Sequence, residues 1–274
     1  MSFCRISTVR MTYSLSAAKL QSYYRCPLAY YFRYERKLPG AAFFSSAALG
    51  TSLHQALAQI YDDWHYQDPI PRLDWVEYCW NQHSSGLTPA QASEGRRILQ
   101  RYYNGFIANQ SAIRRPLAVE GRIQGTLRVQ DLEFTLSGRY DRIDWLEDGL
   151  ELIDYKSSKD SEALLPDEID LQIGLYYLAL EQRYQKHLKQ LSLLYLRTGE
   201  KVSYTVTPDH RQQVESIIGK LALQLRQDRS WTPFPGEQCD RCAYARYCPA
   251  ARANPEPLPE EAQPEPGLQL VLSL

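Results

Sequence analysis

The sequence predicts an α/β fold: a mixed sheet core flanked by helices, with an N-terminal helical region before it and a C-terminal cysteine cluster after it. Three observations predict this. Apolar residues recur at helical spacing through most of the chain before Leu117. Short stretches of alternating apolar and polar residues, separated by Gly and Asp turns, follow it. A helix, two more strands and a last helix complete the pattern, which is the order expected of a mixed sheet covered by helices.

Residues 1–13 read as a flexible N-terminus. Ser14 or Ser16 can cap a helix running through Leu20 toward Leu38, with Pro27 marking a break or a fresh start inside it. Helical patterns follow at about Ala47–Trp64, Asp74–His83 and Pro89–Asn109, completing a helical part over residues 14–116. Leu117–Ile123, Gly125–Val129, Phe134–Trp145 and Leu150–Tyr155 read as a meander of antiparallel strands. A helix over Asp167–Lys186, strands at Leu191–Arg197 and Lys201–Val206, and a helix from Thr207-Pro208 to about Arg226 complete a core over residues 117–227. A cysteine segment, 228–253, closes one domain spanning 14–253. The Pro/Glu-rich stretch 254–274 buries too little to offset ordering entropy, so it reads as a disordered tail. There is no internal repeat.

With 274 residues and 44% hydrophobic content, the chain can bury a sizeable core, which excludes disorder throughout. No apolar run reaches the length of a membrane span, and Met1–Met11 has no apolar stretch of signal-peptide length, so the expectation is a cytoplasmic protein without a membrane partner. The formal charge is −1 overall, but from Asn254 onward there are four Glu and no Lys or Arg, leaving the rest net positive. Between Ser14 and Lys37, Lys19, Arg25, Arg33, Arg36 and Lys37 face only Glu35, among Tyr23, Tyr24, Tyr30, Tyr31 and Tyr34. This interleaving suits phosphate contacts and base stacking, with Lys19, Tyr23, Arg25 and Arg33 as candidate DNA contacts; it equally suits a helix packing its tyrosines on the core.

The most informative stretch is Gly138-x-x-Asp141-Arg142-x-Asp144, a turn, and then Asp154-Tyr155-Lys156. Asp154 and Lys156, two apart in a strand, share a face, and a hairpin can bring Asp141 beside them. Two carboxylates at one site repel unless a cation neutralises them, and hard oxygen donors favour Mg²⁺ or Mn²⁺. A lysine beside such an ion can orient a bound water and stabilise charge on a phosphate. Asp144, three residues after Asp141, alternates away from it and reads as an ion-pair partner of Arg139 or Arg142. Glu120, on the first strand, faces either this site or the surface.

Taken with Gly50-Thr-Ser-Leu-His54 upstream and Gln172-x-x-x-Tyr176 downstream, these motifs resemble the PD-(D/E)XK nuclease superfamily, and more narrowly its RecB-like branch. That branch includes CRISPR-associated exonucleases and the nuclease domains of helicase–nuclease complexes. The resemblance implies a restriction-endonuclease-like core. His54, Asp141, Asp154 and the backbone carbonyl of Tyr155 would hold the metal, and Lys156 would position the attacking water. Gln172 and Tyr176 would lie by the cleaved phosphate, or pack the helix. It implies a metal-dependent deoxyribonuclease, an exonuclease on single-stranded DNA or DNA ends, serving repair, recombination or CRISPR-type processing. The alternative is a non-catalytic component of the same fold that grips DNA ends or a helicase.

Cys239-x-x-Cys242 followed by Cys248-Pro249 supplies three thiolates, and Cys26-Pro27 a candidate fourth. Spacing alone fits either zinc or an iron–sulfur cluster. The resemblance implies [4Fe–4S], because iron–sulfur RecB-like nucleases carry one N-terminal cysteine and a C-terminal trio around the nuclease core. Cys79, among Trp75, Tyr78 and Trp80, reads as a buried thiol. The terminal Gln269-Leu270-Val-Leu272-Ser-Leu274 looks like the peptides by which bacterial repair proteins dock on the sliding clamp, or it adds to the sheet edge as a strand.

Overall fold

The computed structural model describes residues 12–40, 44–157 and 166–259. Its backbone divides into two units, residues 1–21 with 43–227 and residues 22–42 with 228–274.

The larger unit is built on a six-stranded mixed sheet with strand order β1-β3-β4-β5-β6 and β2 paired along β3. β1 (Thr12–Leu15) runs parallel to β3 (Leu132–Trp145), so residues 12 and 13, expected to be flexible, belong to the sheet. Tyr13 is held there by Phe134, 5.9 Å away, and by Arg226, whose guanidinium lies 4.2 Å over the Tyr13 ring. β2 (Ala118–Val129) is one long strand where the sequence suggested two, paired antiparallel with β3 to its end. β4 (Leu150–Lys156) pairs antiparallel with β3 and parallel with β5 (Leu188–Tyr195); β6 (Glu200–Thr205) closes the sheet antiparallel to β5.

The β3–β4 ladder runs only from Trp145↔Leu150 to Arg142↔Ile153. Beyond it, Asp154 to Lys156 pair with Leu193 to Tyr195 of β5. On β3, the contact with β1 ends at Leu136. The sheet therefore forks at Asp141 and Asp154, and a carboxylate sits on each tine.

One layer of helices packs beside this fork. α3 (Phe44–Asp62), α4 (Leu73–His83) and α5 (Pro89–Phe106) enclose Leu53, Ala56, Leu57, Ile60, Trp80, Ile98, Leu99 and Tyr102, together with Ile153 and Tyr155 of β4 and Leu194 of β5. The apolar residues of α3 recur at three and four, as one helix face requires. α5 starts sharply because Thr88 and Gln91 cap each other's backbone amides and Pro89 fixes the first turn. Cys79 is fully buried in this core, and burial pushes its thiol up to about 12.

α6 (Pro166–Tyr184) and α7 (Pro208–Gln227) pack on each other and on β2. A Cβ at Gly174 of α6 would lie 1.9 Å from Val214 of α7, so the glycine permits the close approach. Gln182 of α6 accepts from and donates to the backbone of Thr126, both at 2.8 Å, which pairs the outer edge of β2 with a side-chain amide.

In the smaller unit, the expected long helix is broken. α1 (Ala17–Arg25) begins in the larger unit, where Ser16 caps it by accepting from Lys19 N at 3.2 Å, and ends in the smaller. Cys26 is extended and Pro27 restarts the chain as α2 (Pro27–Tyr30), which runs into a π-helical turn at Tyr31–Glu35. Phe32, Leu38, Tyr244 and Tyr247 form the unit's core, and Trp231 stacks on Tyr30 and Tyr31 at 5.8 and 5.3 Å.

Candidate metal centre and active site

His54, from the middle of α3, meets β2 and β3 at the fork. Its Nδ1 lies 3.0 Å from Asp141 Oδ1 and 3.4 Å from Glu120 Oε1. Among the described residues, these three form the group whose ligand atoms all lie within 4.8 Å of one another. Burial alone would lower the imidazole's pKa, but the hydrogen bond to Asp141, the close contact with Glu120, and the charges of both outweigh it and push it up to about 10. The imidazolium thus neutralises the carboxylates. Burial raises Asp141, reinforced by the charge of Asp154, against the opposing pull of His54. The close contact with His54 lowers Glu120, with Arg139 acting in the same direction.

Glu120 is the residue the sequence left undecided. Its neighbours Val119 and Gly121 pair with Arg142 and Tyr140, which sets Glu120 across from Asp141, yet it adopts φ +41°. A non-glycine residue in the left-handed region is strained, and such strain collects at functional sites. Its Oε2 accepts from Arg139 at 2.9 Å, while Oε1, in ionic contact with His54, is buried without a well-formed hydrogen bond among the described residues. Two carboxylates and an imidazole, with one under-bonded oxygen, fit a hard divalent cation such as Mg²⁺ or Mn²⁺.

Asp154 and Lys156 do share a face: Lys156 Nζ lies 2.5 Å from Asp154 Oδ2. Tyr155, between them, turns into the α3–α5 core, and its backbone N–H donates to Asp141 Oδ2 at 2.6 Å across the fork. Just past Lys156, the carbonyl of Ser157 accepts from Arg197 Nε at 2.8 Å, and Arg197 also pairs with Glu94 of α5. Gly50 of the Gly-x-x-x-His motif lies against this turn; a Cβ there would approach Ser157 Oγ to 2.8 Å.

Asp144 pairs with Arg142 at 2.9 Å, while Arg139 goes to Glu120. Tyr176 is buried, and its hydroxyl donates to the carbonyl of Arg139, two residues before Asp141, so it braces β3. Gln172 lies on α6, with its side chain outside the described residues.

Of the candidate DNA contacts, Tyr23 is buried, with its hydroxyl donating to Asp228 at 2.9 Å, so it packs rather than stacks on bases. Its neighbour Tyr24 is 49% exposed and Arg25 is exposed beside it. Arg33 lies over the Tyr34 ring, and Lys19 donates to Ser14 O at 3.0 Å.

In the smaller unit, Cys26, Cys239, Cys242 and Cys248 are all free, half-buried thiols. Burial raises the Cys242 thiol, and the charges of Cys26, Cys239 and Cys248 raise it further, which places the four in one electrostatic neighbourhood. Short turns present the C-terminal trio, with Cys242 N bonded to Cys239 O and Cys248 N to Ala245 O. The terminal Gln269, Leu270, Leu272 and Leu274 lie outside the described residues.

A family model for the PD-(D/E)XK nuclease superfamily matches residues 14–249. An ATP-dependent helicase/deoxyribonuclease component from Carboxydothermus hydrogenoformans is 27% identical over 203 residues, covering 62% of this chain but only 18% of that protein. Two solved structures superpose on 90% of the chain and 91% of their own: SSO0001, at 16% identity and TM-score 0.44, and a Eubacterium rectale protein assigned as an exonuclease, at 13% and 0.49. With the family model spanning most of its length, and the His54, Asp141, Asp154 and Lys156 positions gathered at one fork, the chain belongs to the PD-(D/E)XK nuclease superfamily.

Proposed function

We propose that this protein is a divalent-metal-dependent deoxyribonuclease acting on single-stranded DNA or DNA ends. The observation that carries the reading is the cluster of His54, Glu120 and Asp141 beside the Asp154–Lys156 pair. His54, Asp141, Asp154 and the carbonyl of Tyr155 would hold Mg²⁺ or Mn²⁺, with Glu120 as a further ligand. The ion supplies an activated water and charge neutralisation at the scissile phosphate. Asp154 keeps the Lys156 ammonium at the site, where it can orient that water and hold developing charge. Tyr176 and Arg197 hold the strands on either side in place. Exposed Tyr24 and Arg25 suit stacking and phosphate contact with an unpaired strand. A helicase partner is part of the proposal and rests on the helicase–nuclease relative.

The four cysteines would hold a structural metal group in the smaller unit. Four thiolates suit either zinc or an iron–sulfur cluster, and we favour [4Fe–4S] because one N-terminal cysteine with a C-terminal trio is the arrangement that the resemblance to iron–sulfur RecB-like nucleases implies. Anaerobic purification tests this. Brown protein with iron and sulfide is expected, and colourless zinc-loaded protein would refute it. Digestion of end-labelled single- and double-stranded DNA with Mn²⁺, by wild type and Asp141→Asn, tests the nuclease. Cleavage by the wild type alone is expected; equal cleavage by both would remove the fork as the active site.

A further inference from the structure

Resting on that reading, we propose that the Tyr155 side chain, anchored by the largely buried Arg142, is a positioning residue that sets the opening of the β3–β4 fork and so the spacing of the metal ligands. Asp141 and Asp154 sit on separate tines, because the backbone ladder between β3 and β4 stops at Arg142↔Ile153. Their separation needs another source of order.

Tyr155 reaches the ligands from several directions. It stands between Asp154 and Lys156 in sequence, and its N–H donates to Asp141 Oδ2 at 2.6 Å. Its ring meets the His54 ring edge-on, with centroids 5.9 Å apart at 89°. One residue thus touches His54, fixes Asp141 and carries Asp154.

Its own position is set below the fork. Arg142 Nη1 donates to the Tyr155 hydroxyl at 3.1 Å and to the Tyr102 hydroxyl at 3.0 Å, while Nη2 pairs with Asp144 at 2.9 Å. The guanidinium lies 4.2 Å over the Tyr61 ring, and the Tyr61 and Tyr102 hydroxyls are 2.6 Å apart. Arg142 follows Asp141 directly, so strand alternation turns the carboxylate to the site and the guanidinium to the core. The network ties β3 to β4 through side chains where the backbone no longer does.

Stability alone does not account for this choice. Withdrawing an ion pair from water offsets much of its attraction, so apolar side chains of the same volume often serve as well, and the Arg142 side chain is only 11% exposed. Arg142 Nε and Asp144 Oδ1 are, besides, buried without a hydrogen-bond partner among the described residues. What the planar, multiply bonded guanidinium supplies is a fixed geometry.

The test compares wild type, Tyr155→Phe, Arg142→Lys and Arg142→Met. It measures Mn²⁺ binding by electron paramagnetic resonance titration, thermal unfolding, and kcat and KM on end-labelled DNA. Tyr155→Phe, which removes one oxygen, is expected to unfold near the wild-type temperature, bind Mn²⁺ about 10-fold more weakly and lose kcat at unchanged KM. Arg142→Lys is expected to retain more Mn²⁺ affinity than Arg142→Met. Lowered unfolding temperatures with wild-type Mn²⁺ affinity and kcat would overturn the proposal. Should Arg142→Met not fold, Tyr155→Phe and Arg142→Lys carry the test. Should the wild type bind Mn²⁺ but cleave nothing, the nuclease reading fails, and the affinity series still decides this one.

Discussion

His54 Nδ1 stands 3.0 Å from Asp141 Oδ1, and the imidazole holds its proton up to about pH 10 because two carboxylates face it. A protonated imidazole here occupies the electrostatic role of a cation. Metal and proton therefore compete for the same group of side chains.

The first prediction follows from that competition. Metal ligation needs neutral His54, so Mn²⁺ affinity is expected to rise about tenfold per pH unit between pH 7 and about 10. Calorimetry in buffers of different ionisation enthalpy should show about one proton released per ion bound at pH 8. The sign for stability is opposite. A pKa raised from 6.5 to about 10 stabilises the metal-free fold below 6.5 and loses that contribution as pH rises to 10. Metal-free protein should melt at falling temperature across this window, and added Mn²⁺ should reverse the trend. A flat Mn²⁺ affinity from pH 7 to 10 would contradict this.

Glu120 joins strain to ligation, and the two separate by mutation. Glu120→Gly relieves the φ of +41° but gives up a bond to the largely exposed Arg139 and the ionic contact with His54. Strain relief and the lost contacts oppose each other, so the metal-free variant is expected to unfold within about 1 kcal/mol of the wild type, read from urea unfolding at pH 7. Its Mn²⁺ affinity should fall about 10- to 100-fold. A destabilised variant with unchanged affinity would show Glu120 to be structural only.

Much of this was legible in the sequence, and the failures have physical causes. The order of helices and strands follows from periodicity, which reads the face a residue presents; it placed Asp154 and Lys156 together correctly. It could not see β1, because four residues pairing with a distant strand leave no local pattern. Glu120 stayed undecided because its site-facing position depends on a left-handed backbone in mid-strand, which alternation does not encode. The tyrosines of α1 suited a basic aromatic surface and core packing equally, and a long-range contact separates them: Tyr23 finds Asp228, far along the chain, and is buried, while Tyr24 is exposed. The partner of Asp144 was narrowed to two arginines, and only register selects Arg142.

The exposed half of that surface gives another prediction. Tyr24→Ala is expected to weaken binding of a short single-stranded oligonucleotide about tenfold in fluorescence anisotropy, as loss of one stacked base would. Tyr23→Phe, which deletes a hydroxyl bonded to Asp228, should leave that affinity unchanged and cost about 1 kcal/mol of stability. The reverse pattern would exclude Tyr24 from the DNA path.

Packing between α6 and α7 gives a prediction free of metal. Gly174→Ala sets a methyl 1.9 Å from Val214 and is expected to destabilise the protein by about 1–3 kcal/mol in urea unfolding. No loss of stability would mean that the two helices yield without cost.

The most direct test of the metal-dependent nuclease is the rate of end-labelled DNA cleavage against Mn²⁺ concentration, for wild type and Lys156→Ala. Lys156 touches Asp154 but is not among the ligands, so the variant should still bind Mn²⁺ while cleaving at least about 100-fold more slowly at saturation. Cleavage by Lys156→Ala at the wild-type rate, or no cleavage by the wild type at any Mn²⁺ concentration, would contradict the account.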